Sequence, residues 1–259
     1  MRFACTPQTD TFGHNPSPPR WISGIASLDG ALGGGLAHGC VHEIYAADAG
    51  DAAAAAGFAA TLTIGMTDEV RTLLWLRSHR AAGRGGVLQA SGWAELGGAP
   101  GYGLFGVVAD GAALLRTAAD ALRCAGLGAV VVESWGTLRE LDRTASRRLV
   151  LAAEKSGVPL FLLRIDAMPL ASAAQTRWQV SSAPSQALPG RAPGRPTFDL
   201  ELLRQRSGPS GLRWRLEWDR DQRIFRDAAL SGAVVPVPAR RPAADPATGS
   251  LLRAHRQAA

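Results

Sequence analysis

The chain has 259 residues, 46% of them apolar, and a formal net charge of +6, which excludes a chain too polar to bury a core and suits one α/β domain with appendages or two small domains. Its three cysteines, Cys5, Cys40 and Cys124, are odd in number and widely spaced, so neither a disulfide framework nor a zinc ribbon is indicated and a reducing cytoplasm is expected. No run approaches the ~20 apolar residues of a membrane span, and the N-terminus lacks the basic-then-apolar pattern of a secretory leader.

Residues 1–20 are polar, with Pro16, Pro18 and Pro19 close together, and read as a flexible lead-in to a folded domain over 21–230. Ser27–Leu32 is expected as one short helix stopped by Gly33-Gly34-Gly35, because glycines favour the backbone conformations that end helices. Val41–Tyr45 reads as a strand. Asp51–Thr67 reads as a helix, with Phe58, Leu62 and Met66 at spacings of four and an acid at its start to suit the dipole.

Thr72–Leu76 is expected as a second strand, followed by a long glycine-rich irregular connection from Arg77 to Gly103. Phe105–Ala109 reads as a third strand and Ala112–Ala125 as an amphipathic helix. The fully apolar run Ala129–Val132, ending in Glu133, reads as a central parallel strand. Leu138–Ser156 is a helix with leucines and alanines on one face and arginines on the other, and Val158–Leu163 is a further strand. This alternation predicts right-handed crossovers around a mainly parallel sheet flanked by helices.

After Asp166 the pattern changes to strands at Gln175–Ser181, Thr197–Arg206 and Leu212–Asp219, the last two joined by the turn Ser207–Gly211 into an antiparallel hairpin that extends the sheet. Asp199 and Glu201 are expected to face Arg213 and Arg215 across it. Residues 231–259, rich in Pro, Ala and Arg, are expected to be a disordered tail.

The chemistry-bearing residues fall into four groups. Where the first strand turns into an alanine-rich helix, a phosphate-binding loop would wrap glycine amides around phosphates, with a lysine on the terminal ones and a hydroxyl on magnesium. Here the segment reads Ala46-Ala47-Asp48-Ala49-Gly50-Asp51-Ala52-Ala53, and the single lysine of the chain is Lys155. Two carboxylates stand where a polyphosphate would sit, the wrong sign for ATP. Glu133, Asp48, Asp51 and Asp166 all fall at or after strand ends, which converge on one crevice in open α/β sheets. No histidine or nucleophile accompanies them, which argues against catalysis.

His38, Cys40 and His42 alternate and include zinc's ligand types, yet three ligands from adjacent rungs of one strand are crowded. Gly101-Tyr102-Gly103-Leu104-Phe105-Gly106 matches a dinucleotide pattern, but it follows a loop and opens an apolar run instead of a helix. With Lys155 the one lysine, 27 of the 28 basic residues are arginine. That bias reads either as a phosphate-binding surface or as the composition of GC-rich coding. Arg177, Arg204, Arg206, Arg213 and Arg215, with Trp178, Trp214 and Trp218 among them, are the candidate DNA or partner contacts; the alternative is a solvated, internally paired face.

The stretch Ile22-Ser23-Gly24-Ile25-Ala26-Ser27-Leu28-Asp29-Gly30-Ala31-Leu32-Gly33-Gly34-Gly35-Leu36, followed by Gly39 and Val41–Tyr45, resembles the lead-in to the ATP loop of RecA-type recombinases. Laid on that pattern, the loop's opening glycine falls on Ala46 and its final Gly-Lys-Thr on Asp51-Ala52-Ala53. The glutamate after the next strand has no counterpart in Leu74-Trp75-Leu76-Arg77-Ser78, and the Walker B aspartate is similar in position to Glu133. A RecA core without these groups, followed by Leu141–Leu149, Thr176–Val180 and Leu216–Asp219, resembles the ImuA family, described as RecA-like or SulA-like.

The resemblance implies a RecA-like fold without a cofactor or enzymatic activity. It further implies an accessory role in SOS mutagenesis and translesion DNA synthesis, beside an ImuB-type Y-family polymerase relative and, through it, an error-prone replicative-type polymerase, in the cytoplasm at the nucleoid. DNA itself is a candidate partner. The alternatives are a SulA-like cell-division inhibitor and a RecA-type DNA-dependent ATPase with a displaced phosphate site.

Overall fold

The structure is a computed structural model and describes residues 18–67, 71–86 and 88–228. The expected tail at 231–259 and most of the lead-in, 1–17, lie outside the described residues. In chain order the elements are β1 (Arg20–Trp21), α1 (Ala26–Ala31), β2 (Leu36–Ala37), β3 (Val41–Ala46), α2 (Ala52–Met66), β4 (Thr72–Ser78), α3 (His79–Gly85) and α4 (Ala90–Glu95). Then follow β5 (Gly103–Val108), α5 (Gly111–Ala121), β6 (Leu127–Trp135), α6 (Arg143–Ser156), β7 (Leu160–Ile165), β8 (Thr176–Ser182), β9 (Thr197–Gln205), β10 (Leu212–Asp219) and β11 (Ile224–Asp227).

Nine strands form one sheet in the order β11-β10-β9-β8-β3-β7-β6-β4-β5. From β8 to β5 every pairing is parallel, and β9, β10 and β11 add on antiparallel. The α/β class with a C-terminal antiparallel extension is therefore as the alternation of elements predicted. β3 lies between β7 and β8, and all six of its residues are buried, as required of a parallel strand covered on both faces.

Two layers of core result. One lies between the sheet and α1, α2 and α4 and holds Phe58, Trp75, Phe161, Trp178 and Trp218; the other lies under α5 and α6 and holds Leu114, Val132, Leu149 and Leu160. Helix α2 is buried nearly all round, because the C-terminal strands also pack on it. The Phe58 ring meets Trp178 at 6.1 Å, Phe198 at 5.8 Å and Phe225 at 5.8 Å between centroids, so one residue of α2 ties the extension to the parallel sheet.

The N-terminal turn is fastened by Arg20, which pairs with Ala37 across β1 and β2 and donates to the Leu32 and Gly35 carbonyls at 2.9 and 2.8 Å. Gly35 has φ 108° and would set a β-carbon 2.3 Å from the Trp21 carbonyl oxygen, so no other residue fits there.

Three expectations need correction. The stretch from Arg77 to Gly103 is not irregular: β4 runs on to Ser78, whose hydroxyl accepts from the Ala81 amide at 3.2 Å to cap α3, and α4 is pinned by buried Trp93. Each helix is under two turns and holds glycine, too short for a period to show. Glu133 does not end its strand, since β6 continues to Trp135. β11 was not foreseen, because four residues carry too little alternation. The hairpin register, by contrast, sets Arg213 opposite Glu201 and Arg215 opposite Asp199, the facing expected from the charge pattern. No helix among the described residues is long and apolar enough to cross a membrane.

Candidate functional site

The segment leaving β3 is a 3-10 turn over Ala49–Asp51 that feeds directly into α2. Two of its amides meet an anion, and that anion belongs to the chain. The Asp48 carboxylate accepts from the Gly50 amide at 2.6 Å and from the Asp51 amide at 3.2 Å. Asp51 is turned the other way and buried, accepting from both the amide and the hydroxyl of Ser182, each at 2.8 Å. The Ala47 amide donates a hydrogen bond to the Val180 carbonyl at 2.8 Å. The loop is thus stitched to β8.

Ala46 is buried, Ala52 half-buried and Ala53 exposed, so the positions of the loop's glycine, lysine and hydroxyl hold methyl groups. These residues do not fit a magnesium nucleotide: the amides that would receive phosphate are already bonded to a carboxylate.

The neighbouring strand ends are closed in the same manner. Glu133 is 2% exposed and accepts from the Arg77 guanidinium at 2.7 Å and from the Trp75 indole at 2.9 Å. Arg77, 5% exposed, also donates to the Gly86 carbonyl at 2.7 Å. A carboxylate held by an arginine and an indole has little left to offer a metal ion. Arg77 is the residue that sequence reasoning passed over: it lies where a glutamate was sought, and the signal was a lone charge inside an otherwise apolar strand. Asp166, with φ 51°, pairs with Arg84 at 3.5 Å and is exposed. The four acids expected to share a crevice are each bound to a separate partner.

The candidate arginines divide. Arg177 points inward, 9% exposed, with its guanidinium on Glu43 at 2.7 Å, on the Ser172 hydroxyl at 3.0 Å and on the Leu170 carbonyl. Glu43 and Arg177 form the second buried ion pair of the sheet, and Tyr45 sits beside it under both Arg177 and Arg164. Arg213 and Arg215 are exposed but paired with Glu201 and Asp199, both at 2.7 Å. Arg206 reaches Glu154 at 3.9 Å, and Arg204 donates to the Ser172 carbonyl at 3.3 Å. Of the interleaved tryptophans, Trp178 and Trp218 are buried and Trp214 is half-buried with its indole on the Ser27 hydroxyl. The structure therefore separates what the sequence placed together, and the tryptophans do not present a stacking platform.

The alternating His38, Cys40 and His42 are likewise apart in role. Buried His42 has Nε2 2.9 Å from the Ala37 carbonyl and Nδ1 2.8 Å from the Thr176 hydroxyl. Since a carbonyl only accepts, Nε2 carries the proton and Nδ1 takes the hydroxyl's. Burial, and next the Glu154 carboxylate, push the Cys40 thiol up, away from the thiolate a metal requires. The Gly101–Gly106 run is a 3-10 turn passing into β5, and opens no helix.

Burial pulls the His42 pKa down from 6.5 to about 4. The unfolded chain then binds the extra proton between those values, so stability falls as pH drops from 6.5 towards 4 and is flat in this group below that. The difference corresponds to about 3 kcal/mol. Urea unfolding at pH 7 and pH 4 should show His42→Gln losing less stability than the parent chain by about that amount; equal losses would refute the assignment.

No protein-family model matches the chain, and no curated protein matches it. Among solved structures, the crystal structure of the RadB recombinase is similar, with a TM-score of 0.53 and 16% identity over 81% of this chain and 100% of that one. At that identity the likeness speaks for the fold alone, over most of this chain. The chain therefore has a RecA-like fold.

Proposed function

We propose that this protein is a non-catalytic RecA-like accessory factor of damage-induced translesion DNA synthesis, acting through contacts with an ImuB-type Y-family polymerase relative and, through it, an error-prone replicative-type polymerase. The observation that carries the non-catalytic part is the Asp48 carboxylate on the Gly50 and Asp51 amides, with methyl groups at positions 52 and 53. A fold without nucleotide turnover cannot drive a cycle, but it presents a fixed surface on which a polymerase partner can be positioned. The mutagenesis setting rests on the ImuA-like motifs at Leu141–Leu149, Thr176–Val180 and Leu216–Asp219, and a fold shared with a recombinase suits it. The protein would act in the cytoplasm, at the nucleoid.

Protein contact is favoured over DNA contact by the ion pairs of the hairpin. Arg213 and Arg215 would have to leave Glu201 and Asp199 to reach phosphates, and those acids would repel the backbone. Two measurements test the reading together. Titration with ATP and magnesium should give no binding heat, and the full chain should co-purify with an ImuB-type partner whether or not DNA is present. Micromolar ATP binding with hydrolysis would overturn the first part, and failure to co-purify the second.

A further inference from the structure

Among the described residues, β5 is the terminal strand of the sheet on the side away from β11 and pairs only with β4. One row of its backbone N–H and C=O groups therefore faces outward without a ladder partner among the described strands. Natural sheets blunt such edges with charge, proline, bulges or very short strands. The other edge obeys this rule: β11 has four residues and ends in Arg226-Asp227, both exposed. β5 does not. Its six residues, Gly103-Leu104-Phe105-Gly106-Val107-Val108, carry no charge and no proline, and its register with β4 runs without a bulge.

Leu104, Phe105 and Val107 are 49%, 40% and 50% exposed. On one face the apolar surface continues from Phe105 into a cavity of about 360 Å³ that Trp75, Leu88, Trp93 and Leu96 also line. An apolar ladder of this length is a template for another strand.

We propose that the occupant is a second copy of this chain, with β5 pairing antiparallel to β5 about a two-fold axis through Gly106, so that two nine-stranded sheets become one. The strand's own sequence argues for this partner. Centred on Gly106, Leu104 lies opposite Val108 of the second copy and Phe105 opposite Val107, on matching faces as the pleat requires. Gly106 meets Gly106 where the chains cross. Each of the three exposed side chains is then covered by an apolar one. Centring on Phe105 instead would set Leu104 against glycine and Val107 against glycine.

Pairing β5 with β11 would place Arg226 and Asp227 against the apolar row, which disfavours an open-ended stack and leaves the closed dimer. Six residues a side is a small contact beside the ~800 Å² per partner of standard interfaces, so reversible association in the micromolar range is expected.

Sedimentation velocity on the full chain from about 1 to about 100 µM should show a monomer shifting to a dimer across this range. Val107→Lys, at a half-exposed position, should remain monomeric with an unchanged circular dichroism spectrum. An independent arm uses cysteine. Facing Cα atoms in an antiparallel pair lie about 4.5–5.5 Å apart, within disulfide reach, so Gly106→Cys should give a disulfide-linked dimer under mild oxidation. Leu104→Cys, which faces position 108, should cross-link no more than the parent chain with its native cysteines. A monomer at every concentration, a dimer that Val107→Lys leaves intact, or equal cross-linking at positions 104 and 106 would each overturn the proposal.

Discussion

Replacing Glu133 by Gln is expected to destabilise the fold by about 3–5 kcal/mol, the range for removing one member of a buried ion pair. The two side chains are nearly inaccessible, 6% exposed for Arg77 and 3% for Glu133, so the surviving guanidinium would keep its charge in a place with little water to screen it. Glutamine could still accept from the Trp75 indole, which isolates the loss of charge from the loss of that bond. The double variant Arg77→Met, Glu133→Leu separates attraction from burial: an apolar pair of similar volume is expected to recover most of the loss, because taking both charges out of water is itself unfavourable. Urea unfolding of the parent and the two variants measures both quantities. A change below about 1 kcal/mol for Glu133→Gln would show the pair to behave as a solvated surface bridge.

This result bears on function through position. Glu133 falls where the resemblance puts a Walker B carboxylate, and Arg77 where it puts a missing glutamate. If their contribution is to stability, that end of the sheet is a place where the chain's own charges hold one another. The Asp48 carboxylate on the loop amides and the Asp51 carboxylate on Ser182 follow the same logic, an internal group standing where a ligand group would.

What the sequence could reveal depended on how local the cause was. The strand β6, the helix α6 and the β9–β10 hairpin were readable because each carries its signal within its own residues: a continuous apolar run, a helical stripe, and a charge alternation that predicts its own register. Helix α2 was readable as a helix but not as the hub it is, since its all-round burial is set by Phe198 and Phe225, more than a hundred residues on. The partners of the candidate site were illegible for the same reason. Nothing near Glu133 announces Arg77, and nothing near Arg177 announces Glu43, because pairing between parallel strands joins residues separated by a whole crossover. Arg177 looked like a surface cation on that account, whereas its place in β8 beside β3 turns it into the core.

Phe58→Ala should cost about 3–5 kcal/mol, the range for truncating a large aromatic side chain in a well-packed core. Phe58 is 2% exposed and touches three aromatic rings from β8, β9 and β11, so the cavity would open at the junction of the parallel sheet with its antiparallel extension. Ala53→Thr, in the first turn of the same helix and exposed, should change stability by no more than about 0.5 kcal/mol, though it puts a hydroxyl where the resemblance would hold magnesium. Denaturant unfolding of the two variants therefore asks whether the middle of α2 or its loop end matters. A large effect at 58 with none at 53 means the helix is kept for the packing that presents the C-terminal strands, which is what a scaffold needs. The reverse pattern would mean that the loop end carries the fold, and would count against the proposed scaffold role.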